Sequence, residues 1–275
     1  MSGPLDPVLD LRTLARGLDH AEGICWDPVR RCLWGGGEAG QVYRVELSGE
    51  VEVVHQIAGG ALLGLALDAS GSLYLCDPGN HTVWRYDHAG EPVRYGPAID
   101  YPNYASFGPD GTLYVSDSGA WEQATGSLVA IAPDASSRRL DVAPIAFANG
   151  LYVHDGYLYY IASAQPAVWR VALGGGPEEL VVVLERCVPD GLALDERGAL
   201  YVSCYQPNQL WRYAEGRLEL LFEDWTGEYV LSPTNVAFYG DELDRLALAS
   251  LCGHSFTSID PGVRGSAVLR PDVKE

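Results

Sequence analysis

The sequence predicts an all-β fold, a six-bladed β-propeller with four-stranded antiparallel blades around a central channel. Three observations predict it: a recurring tetrapeptide, the regular spacing of its copies, and a second motif that follows most of them. The tetrapeptide reads Gly-x-Leu-Tyr, and its leucines, including two degenerate copies, are Leu33, Leu73, Leu113, Leu158, Leu200 and Leu246. They are separated by 40, 40, 45, 42 and 46 residues. Repeats of this length that contain several short strands are typical of propeller blades.

Each repeat contains four strand patterns in a fixed order. A short apolar strand ends in an Asp-x-x-Gly-type turn, and the second strand carries the Leu-Tyr pair. A polar loop leads to the third strand, where Trp precedes Arg at Trp84, Trp169 and Trp211, with Tyr43-Arg44 as a variant. A weaker fourth strand follows. Six such units account for the length, so we expect one propeller domain over residues 1–275. Val8 to Leu14 and Ala267 to Arg270 are both plausible strands for closing the ring.

Composition and charge disfavour several classes of function. The chain has 37 acidic and 18 basic residues and a formal net charge of −19, which disfavours nucleic acid and anionic membranes as partners. No apolar run is long enough to span a membrane, and Met1 to Asp10 lack the pattern of a secretory signal. The six cysteines form no CxxC pair and are expected to be reduced. We therefore expect a cytoplasmic protein that is a monomer or a weak homo-oligomer.

One position of the repeat carries an oxygen-bearing side chain in most copies. It lies just before the first apolar strand, and its occupants are Glu22, Leu63, Asn103, Asn149, Asp190 and Thr234, or Asn235 one residue on. Because the first strand of each blade lines the channel, these residues should form a ring at one mouth. Glycine follows in several copies and lets neighbouring backbones approach closely. Carboxylates and amides that converge in this way predict a site for a hard cation.

A structural alternative explains part of this pattern. Asn-Gly and Asp-Gly are strong turn pairs, so Asn149 and Asp190 could simply shape the start of a strand. Glu22-Gly23 and Asn103-Tyr104 are not strong turn pairs. The shared register of all four residues therefore favours the cation site.

The segments around these residues also resemble a known family. The motifs that carry the resemblance are, in chain order, Glu22-Gly23-Ile24-Cys25-Trp26, Pro102-Asn103, Asn149-Gly150, Pro189-Asp190-Gly191 and Pro233-Thr234-Asn235. From Leu18 to Gly265 the chain resembles the senescence-marker-protein-30 (SMP-30)/gluconolactonase/luciferin-regenerating-enzyme-like family. The resemblance implies a six-bladed propeller with one divalent cation in its channel and, as in many members, hydrolysis of lactones. It makes Glu22, Asn149 and Asp190 the metal ligands and Asn103 a further ligand or a substrate contact.

The chain departs from the sugar-lactone enzymes of that family around the third blade. Tyr101 and Tyr104 occupy positions where those enzymes often have Arg and Asp. Asp117 or Glu122 is expected to supply the acid that contacts substrate in some members. Further aromatic residues expected near the mouth are Trp121, Phe147, Tyr152 and Tyr205, of which Phe147 and Tyr152 are expected to pack between blades. This composition suggests a substrate less polar than a sugar lactone.

The expected ligands determine the expected chemistry. Oxygen donors favour Ca²⁺, with Mg²⁺, Mn²⁺, Fe²⁺ or Zn²⁺ as other possibilities. The cation would polarise the lactone carbonyl, and Asp190 is the expected general base for the attacking water. No GxSxG motif supports a serine nucleophile. A phosphotriesterase on the same metal site and a non-catalytic propeller with a structural metal remain alternatives.

Two histidines are further candidates for substrate contact or catalysis. His20 lies two residues before Glu22, and His254 lies in a loop of the last blade that could overhang the mouth. Related propeller hydrolases use channel histidines as bases. The alternative is that each histidine lies on the surface or caps a loop.

Overall fold

The computed structural model describes residues 11–273 and confirms the predicted propeller. Its twenty-four strands form six antiparallel sheets of four strands each, and no residue in this range is helical. The described range accordingly contains no helix long and apolar enough to cross a membrane. The first strand, β1 (Arg12–Arg16), belongs to the last blade.

The first three blades follow in chain order. Blade 1 contains β2 (Gly23–Asp27), β3 (Cys32–Gly36), β4 (Gln41–Glu46) and β5 (Val51–Gln56). Blade 2 contains β6 (Leu65–Leu67), β7 (Leu73–Asp77), β8 (Thr82–Tyr86) and β9 (Val93–Arg94). Blade 3 contains β10 (Pro102–Phe107), β11 (Leu113–Asp117), β12 (Ser127–Ile131) and β13 (Ser137–Arg139).

The remaining blades repeat the arrangement. Blade 4 contains β14 (Ala148–His154), β15 (Tyr157–Ala162), β16 (Ala167–Ala172) and β17 (Glu179–Val183). Blade 5 contains β18 (Val188–Leu194), β19 (Leu200–Gln206), β20 (Gln209–Ala214) and β21 (Arg217–Glu223). Blade 6 contains β22 (Pro233–Tyr239), β23 (Arg245–Ser250), β24 (Ser255–Ile259) and, outermost, β1.

The inner strands form a closed ring around the channel. Each of β2, β6, β10, β14, β18 and β22 contacts the next, and β22 contacts β2. The second strands pack between neighbouring blades, which explains why every residue of β7 and β11 is buried. The leucine of each Gly-x-Leu-Tyr copy has at most 2% of its surface exposed. The repeated leucine is therefore the core position of each blade.

The aspartate of the first turn in the repeat has a structural role. Asp68 Oδ1 accepts a hydrogen bond from the Ser72 backbone N–H at 2.9 Å, and Asp195 Oδ1 accepts one from Ala199 at 2.9 Å. Gly71 lies between the first pair with φ of +85°, a left-handed conformation that a side chain would strain. These acids hold the turns between the first and second strands.

The N-terminal segment closes the circle of six blades. β1 pairs antiparallel with β24, with Arg12 opposite Ser258 and Arg16 opposite Ser255. This places part of the predicted Val8 to Leu14 segment in the closing strand, while Val8 to Asp10 lie outside the described residues. The prediction of a strand at Ala267 to Arg270 is wrong, because this segment forms no strand.

The C-terminal segment instead covers the far end of the channel. A cavity of about 250 Å³ lies there, lined by apolar side chains from all six inner strands and by residues 266–270. Tyr152 Oη donates to Ser266 O at 2.8 Å, and Ala69 N–H donates to Pro271 O at 2.9 Å. None of the oxygen-bearing residues predicted to ring the mouth lines this cavity, so the cavity and the ring are separate regions of the channel.

Candidate metal centre

The predicted ring residues occupy equivalent positions at the start of the inner strands. Backbone hydrogen bonds join neighbouring blades at these positions. Gly64 N–H donates to Asn103 O at 2.7 Å, and Asn235 N–H donates to Glu22 O at 3.3 Å. A Cβ on Gly23 would collide with Leu63 O. The glycines after the ring position are thus needed because neighbouring backbones touch there.

A β-bulge accompanies the ring position in four blades. The pairing of the first two strands shifts register between Pro102 and Ala105 in blade 3 and between Ala148 and Leu151 in blade 4. The same shift occurs at Pro189/Leu192 and Pro233/Val236 in blades 5 and 6. A bulge interrupts the alternation of side chains and re-aims one of them. The bulge therefore takes the residue at the ring position out of the regular pairing between the first and second strands.

Asn149 and Asp190 are in direct contact. Asn149 Nδ2 donates to Asp190 Oδ2 at 3.0 Å, and both residues are at least 96% buried. Their other oxygens, Asn149 Oδ1 and Asp190 Oδ1, are buried and have no hydrogen-bond partner among the described residues. Buried acceptors without donors are costly unless a cation or water binds them. Two such oxygens in touching residues fit the donor set of a hard cation.

Two acids share this environment. Burial raises the pKa of Glu22 above its ordinary value of 4.5, and the charges of Asp190 and Glu38 raise it further. Burial also raises the pKa of Asp190 above 3.8, against the opposing effect of the Asn149 hydrogen bond. Two neighbouring carboxylates in a poorly solvated site repel each other. A divalent cation would relieve this repulsion, so the residues present fit the group.

Serines that sequence analysis missed orient the amides of the ring. Ser118 Oγ accepts from Asn103 Nδ2 at 3.0 Å and donates to Ala148 O of the next blade at 2.7 Å. Ser163 Oγ accepts from Asn149 Nδ2 at 3.2 Å and donates to Pro189 O at 2.6 Å. Each serine follows the repeat leucine by five residues, a signal present in the sequence. These contacts fix both amide side chains relative to the next blade.

Thr234, the residue at the ring position of blade 6, makes a hydrogen bond to blade 1. Its Oγ1 donates to Glu22 O at 3.0 Å, which joins blade 6 to blade 1. The neighbouring Asn235 has a buried Nδ2 without a hydrogen-bond partner in the described part of the chain. The ring therefore combines candidate ligands in blades 1, 3, 4 and 5 with a bracing hydroxyl in blade 6.

A family model described as the SMP-30/gluconolactonase/LRE-like region matches residues 21–251. The chain belongs to this family. The match confirms the family predicted from the dispersed motifs. No curated protein matches the chain significantly.

Solved structures similar to this SMP-30-family chain share its fold. A luciferin-regenerating enzyme has a TM-score of 0.79 at 20% identity, over 96% of this chain and 99% of that one. A gluconolactonase from Xanthomonas campestris has a TM-score of 0.76 at 21% identity, over 91% and 89% of the two chains. The calcium-binding protein regucalcin from Agrobacterium tumefaciens has a TM-score of 0.76 at 17% identity, over 96% and 98%.

An aromatic cluster lies beside the ring in this SMP-30-family propeller. The Phe147 ring centroid is 4.9 Å from that of Trp121 and 6.1 Å from that of Tyr101. Phe147 has φ of +60°, which is uncommon for a bulky residue, and lies two residues before Asn149. Tyr101 and Trp121 are 40% and 42% exposed. Phe147, expected to pack between blades, does join blades 3 and 4 but remains partly exposed at the mouth.

Two tyrosines are electrostatically close to the acids of the ring. Burial raises the pKa of Tyr101, and the charge of Glu22 raises it further. Burial also raises the pKa of Tyr205, followed by the charges of Asp190 and Glu22. Both phenols therefore lie within electrostatic range of the candidate ligands. Tyr101 was among the predicted substrate contacts, whereas Tyr205 was named only as an aromatic residue of the mouth.

The other predicted substrate contacts of blade 3 lie in different surroundings. Tyr104 is 7% exposed and lines the apolar cavity below the ring. Asp117 Oδ1 accepts from Tyr101 N–H at 3.0 Å, and its Oδ2 accepts from Arg139 at 3.3 Å. Glu122 is exposed next to Trp121. Asp117 thus positions the Tyr101 backbone, while contacts of Tyr104, Asp117 and Glu122 with substrate stay predictions.

The two predicted histidines meet at the junction of blades 6 and 1. The His20 and His254 ring centroids are 4.7 Å apart. Asp19 lies beside them, with its Oδ1 3.0 Å from His20 Nδ1. The histidines therefore form a cluster of their own, in which only His20 belongs to the segment that leads to Glu22.

Proposed function

We propose that this protein is a divalent-cation-dependent hydrolase that opens lactones at the channel mouth. The observation that carries the proposal is the pair of buried, unpartnered oxygens on Asn149 and Asp190, in electrostatic contact with the half-buried acid of Glu22. Glu22, Asn149 and Asp190 would hold the cation, with Asn103 as a further donor. Family membership supports this assignment. Ca²⁺ is the proposed cation because every candidate ligand atom is oxygen.

Asp190 is proposed as the general base. A bound cation would polarise the lactone carbonyl and stabilise the negative charge that develops on its oxygen. Asp190 Oδ2 accepts a hydrogen bond from Asn149 Nδ2 at 3.0 Å, which orients the carboxyl group. This carboxyl would be ionised once the cation is bound, and it could then take a proton from water. Water forms the new bond to the acyl carbon and gives its proton to Asp190. The ring C–O bond breaks, and the leaving oxygen takes up the proton to give a hydroxy acid.

The aromatic cluster supports a substrate with an apolar portion. Tyr101, Trp121 and Phe147 offer partly exposed ring surface beside the candidate ligands. A sugar lactone would need hydrogen-bonding groups in that position. We therefore propose alkyl- or aryl-substituted lactones as the substrate class.

The test is hydrolysis of a panel of γ- and δ-lactones, sugar-derived and alkyl-substituted, and of phosphotriesters, measured by proton release. Chelator-stripped protein is compared with protein restored with Ca²⁺, Mg²⁺, Mn²⁺, Fe²⁺ or Zn²⁺. We expect no turnover after stripping and recovery with Ca²⁺. Turnover of phosphotriesters in place of lactones, or cation binding without any turnover, would contradict the proposal.

Trp121→Ala is expected to raise KM for alkyl lactones by about 10-fold with a smaller effect on kcat. Loss of one aromatic contact with substrate corresponds to roughly 1–2 kcal/mol of binding. Steady-state kinetics with short and long alkyl lactones measure the effect, which should grow with chain length. Val29→Ala is the control, because Val29 is also exposed but lies in the turn between β2 and β3, at the opposite end of the inner strand from the ring of oxygen-bearing residues. An equal loss for both variants would refute the assigned contact.

Calcium binding at neutral pH is expected to release protons. The folded-state pKa values of Glu22 and Asp190 are raised, so the metal-free protein retains protons there above about pH 4, where unfolded carboxyls ionise. Metal-free protein should accordingly lose stability as the pH rises from about 4 to about 8, and calcium affinity should fall as the pH drops. Calorimetric titrations in buffers of different ionisation enthalpy measure the released protons. Binding without proton release near neutral pH would contradict the raised pKa values.

A further inference from the structure

Four side chains form a cluster at the seam between the first and last blades. This seam cluster consists of Asp19, His20, Glu38 and His254. Asp19 and His20 lie between β1 of blade 6 and β2 of blade 1, Glu38 lies between β3 and β4, and His254 lies between β23 and β24. One potential ligand atom from each of Asp19, His20 and His254 lies within 4.8 Å of the others.

The hydrogen bonds of His254 leave one ring nitrogen available. Its Nδ1 lies 2.9 Å from Leu18 O, and since a carbonyl oxygen only accepts, this nitrogen carries the proton. In the neutral ring Nε2 then has a free lone pair. A histidine that donates one ring N–H to a backbone carbonyl is the usual arrangement of a metal-binding imidazole.

The other members are held in place by neighbours. His20 Nδ1 lies 3.0 Å from Asp19 Oδ1 and 3.1 Å from Glu38 Oε2. Asp19 Oδ2 accepts from Gln41 Nε2 at 2.9 Å. His20 has φ of +44°, a left-handed conformation that favours glycine. Two imidazoles and two carboxylates thus face one another in a supported, partly exposed position.

We propose that the seam cluster binds a transition-metal ion, foremost Zn²⁺, independently of the oxygen-donor ring. Imidazole nitrogens with carboxylate oxygens suit Zn²⁺, whereas Ca²⁺ selects oxygen ligands alone. The ion would link blade 1 to blade 6, where His254 O already accepts from Gly17 and Leu18 N–H at 2.9 and 3.2 Å. Binding of the ion at this junction stabilises the closed circle of six blades. The proposal does not depend on lactone hydrolysis.

The experiment is a calorimetric titration with Zn²⁺ in the presence of saturating Ca²⁺, combined with thermal unfolding. Wild-type protein is expected to bind one Zn²⁺ and to unfold at a higher temperature with it. His254→Ala should weaken Zn²⁺ binding about 100-fold and remove the thermal shift. His81→Ala, an exposed histidine beside Asp100 in blade 2, is the matched control and should retain both.

A second control separates the two sites. Glu22→Gln should lose Ca²⁺ binding and keep Zn²⁺ binding, whereas His254→Ala should show the reverse. Zn²⁺ binding that survives His254→Ala, that disappears with Glu22→Gln, or that is absent from wild-type protein would overturn the proposal. The absence of lactone hydrolysis would change none of these outcomes. The zinc proposal and the hydrolase proposal are therefore tested independently.

Discussion

Asp190→Asn is expected to lower kcat/KM for lactone hydrolysis by about 10²–10⁴-fold, the usual contribution of a general base. Asparagine has nearly the same shape, and its amide oxygen can still accept the hydrogen bond that Asn149 Nδ2 donates to Asp190 Oδ2. What disappears is the negative charge and the capacity to take a proton from water. Steady-state kinetics at saturating Ca²⁺, with circular dichroism to verify the fold, measure the effect.

Asp68→Asn provides the control for this variant. Asp68 is also buried, but it holds the first turn of blade 2 through the backbone N–H of Ser72. Its replacement should lower thermal stability while kcat stays within a few-fold of wild type. If Asp190→Asn behaved in the same way, Asp190 would be a structural residue and the proposed mechanism would fall.

Glu22→Gln is expected to stabilise the metal-free protein and to abolish its response to Ca²⁺. Because burial raises the pKa of Glu22, ionising this side chain destabilises the folded state at pH values above the ordinary 4.5. A neutral glutamine removes that cost, and each kcal/mol gained raises Tm by about 2–4 °C in a protein of this size. Wild-type protein should gain about 2.7 kcal/mol when Ca²⁺ reaches 100 times its Kd, and the variant should gain nothing.

The measurement is thermal unfolding with and without Ca²⁺ across a pH series. The advantage of Glu22→Gln over metal-free wild type should shrink as the pH falls and should vanish below 4.5, where the glutamate is protonated in both the folded and the unfolded state. Glu196→Gln, an exposed acid in a turn of blade 5, should stay within about 0.5 kcal/mol of wild type at every pH. A destabilised Glu22→Gln variant in the absence of metal would show that the carboxylate has a structural partner.

The architecture was predictable because the repeat is local and regular. Leu73 and Leu113 mark the same core position in consecutive blades, and spacing alone shows it. The common register of Glu22, Asn149 and Asp190 was predictable for the same reason, since equivalent positions of a closed ring converge. Their ligand and catalytic roles stay predictions.

Contacts between distant segments were harder to predict. The pairing of β1 with β24 joins residues more than 200 positions apart, and no local pattern distinguishes it from closure by Ala267 to Arg270. The bulge between Pro102 and Ala105 leaves no clear sequence pattern, although it disrupts the alternation that would place Asn103 and Tyr104. Ser163 was overlooked because its partner, Pro189 O, belongs to the next blade.

The most direct test of the central claim is one titration of chelator-stripped protein with Ca²⁺, in which calorimetry measures the binding heat and initial rates measure lactone hydrolysis at each Ca²⁺ concentration. If Glu22, Asn149 and Asp190 form a single catalytic cation site, heat and activity saturate together at one equivalent of Ca²⁺. Both signals are then lost in Glu22→Gln, whereas Asp190→Asn loses the activity and still binds Ca²⁺ at high concentration. Full activity in the stripped protein, or binding of one equivalent that leaves the rate unchanged, would contradict this assignment.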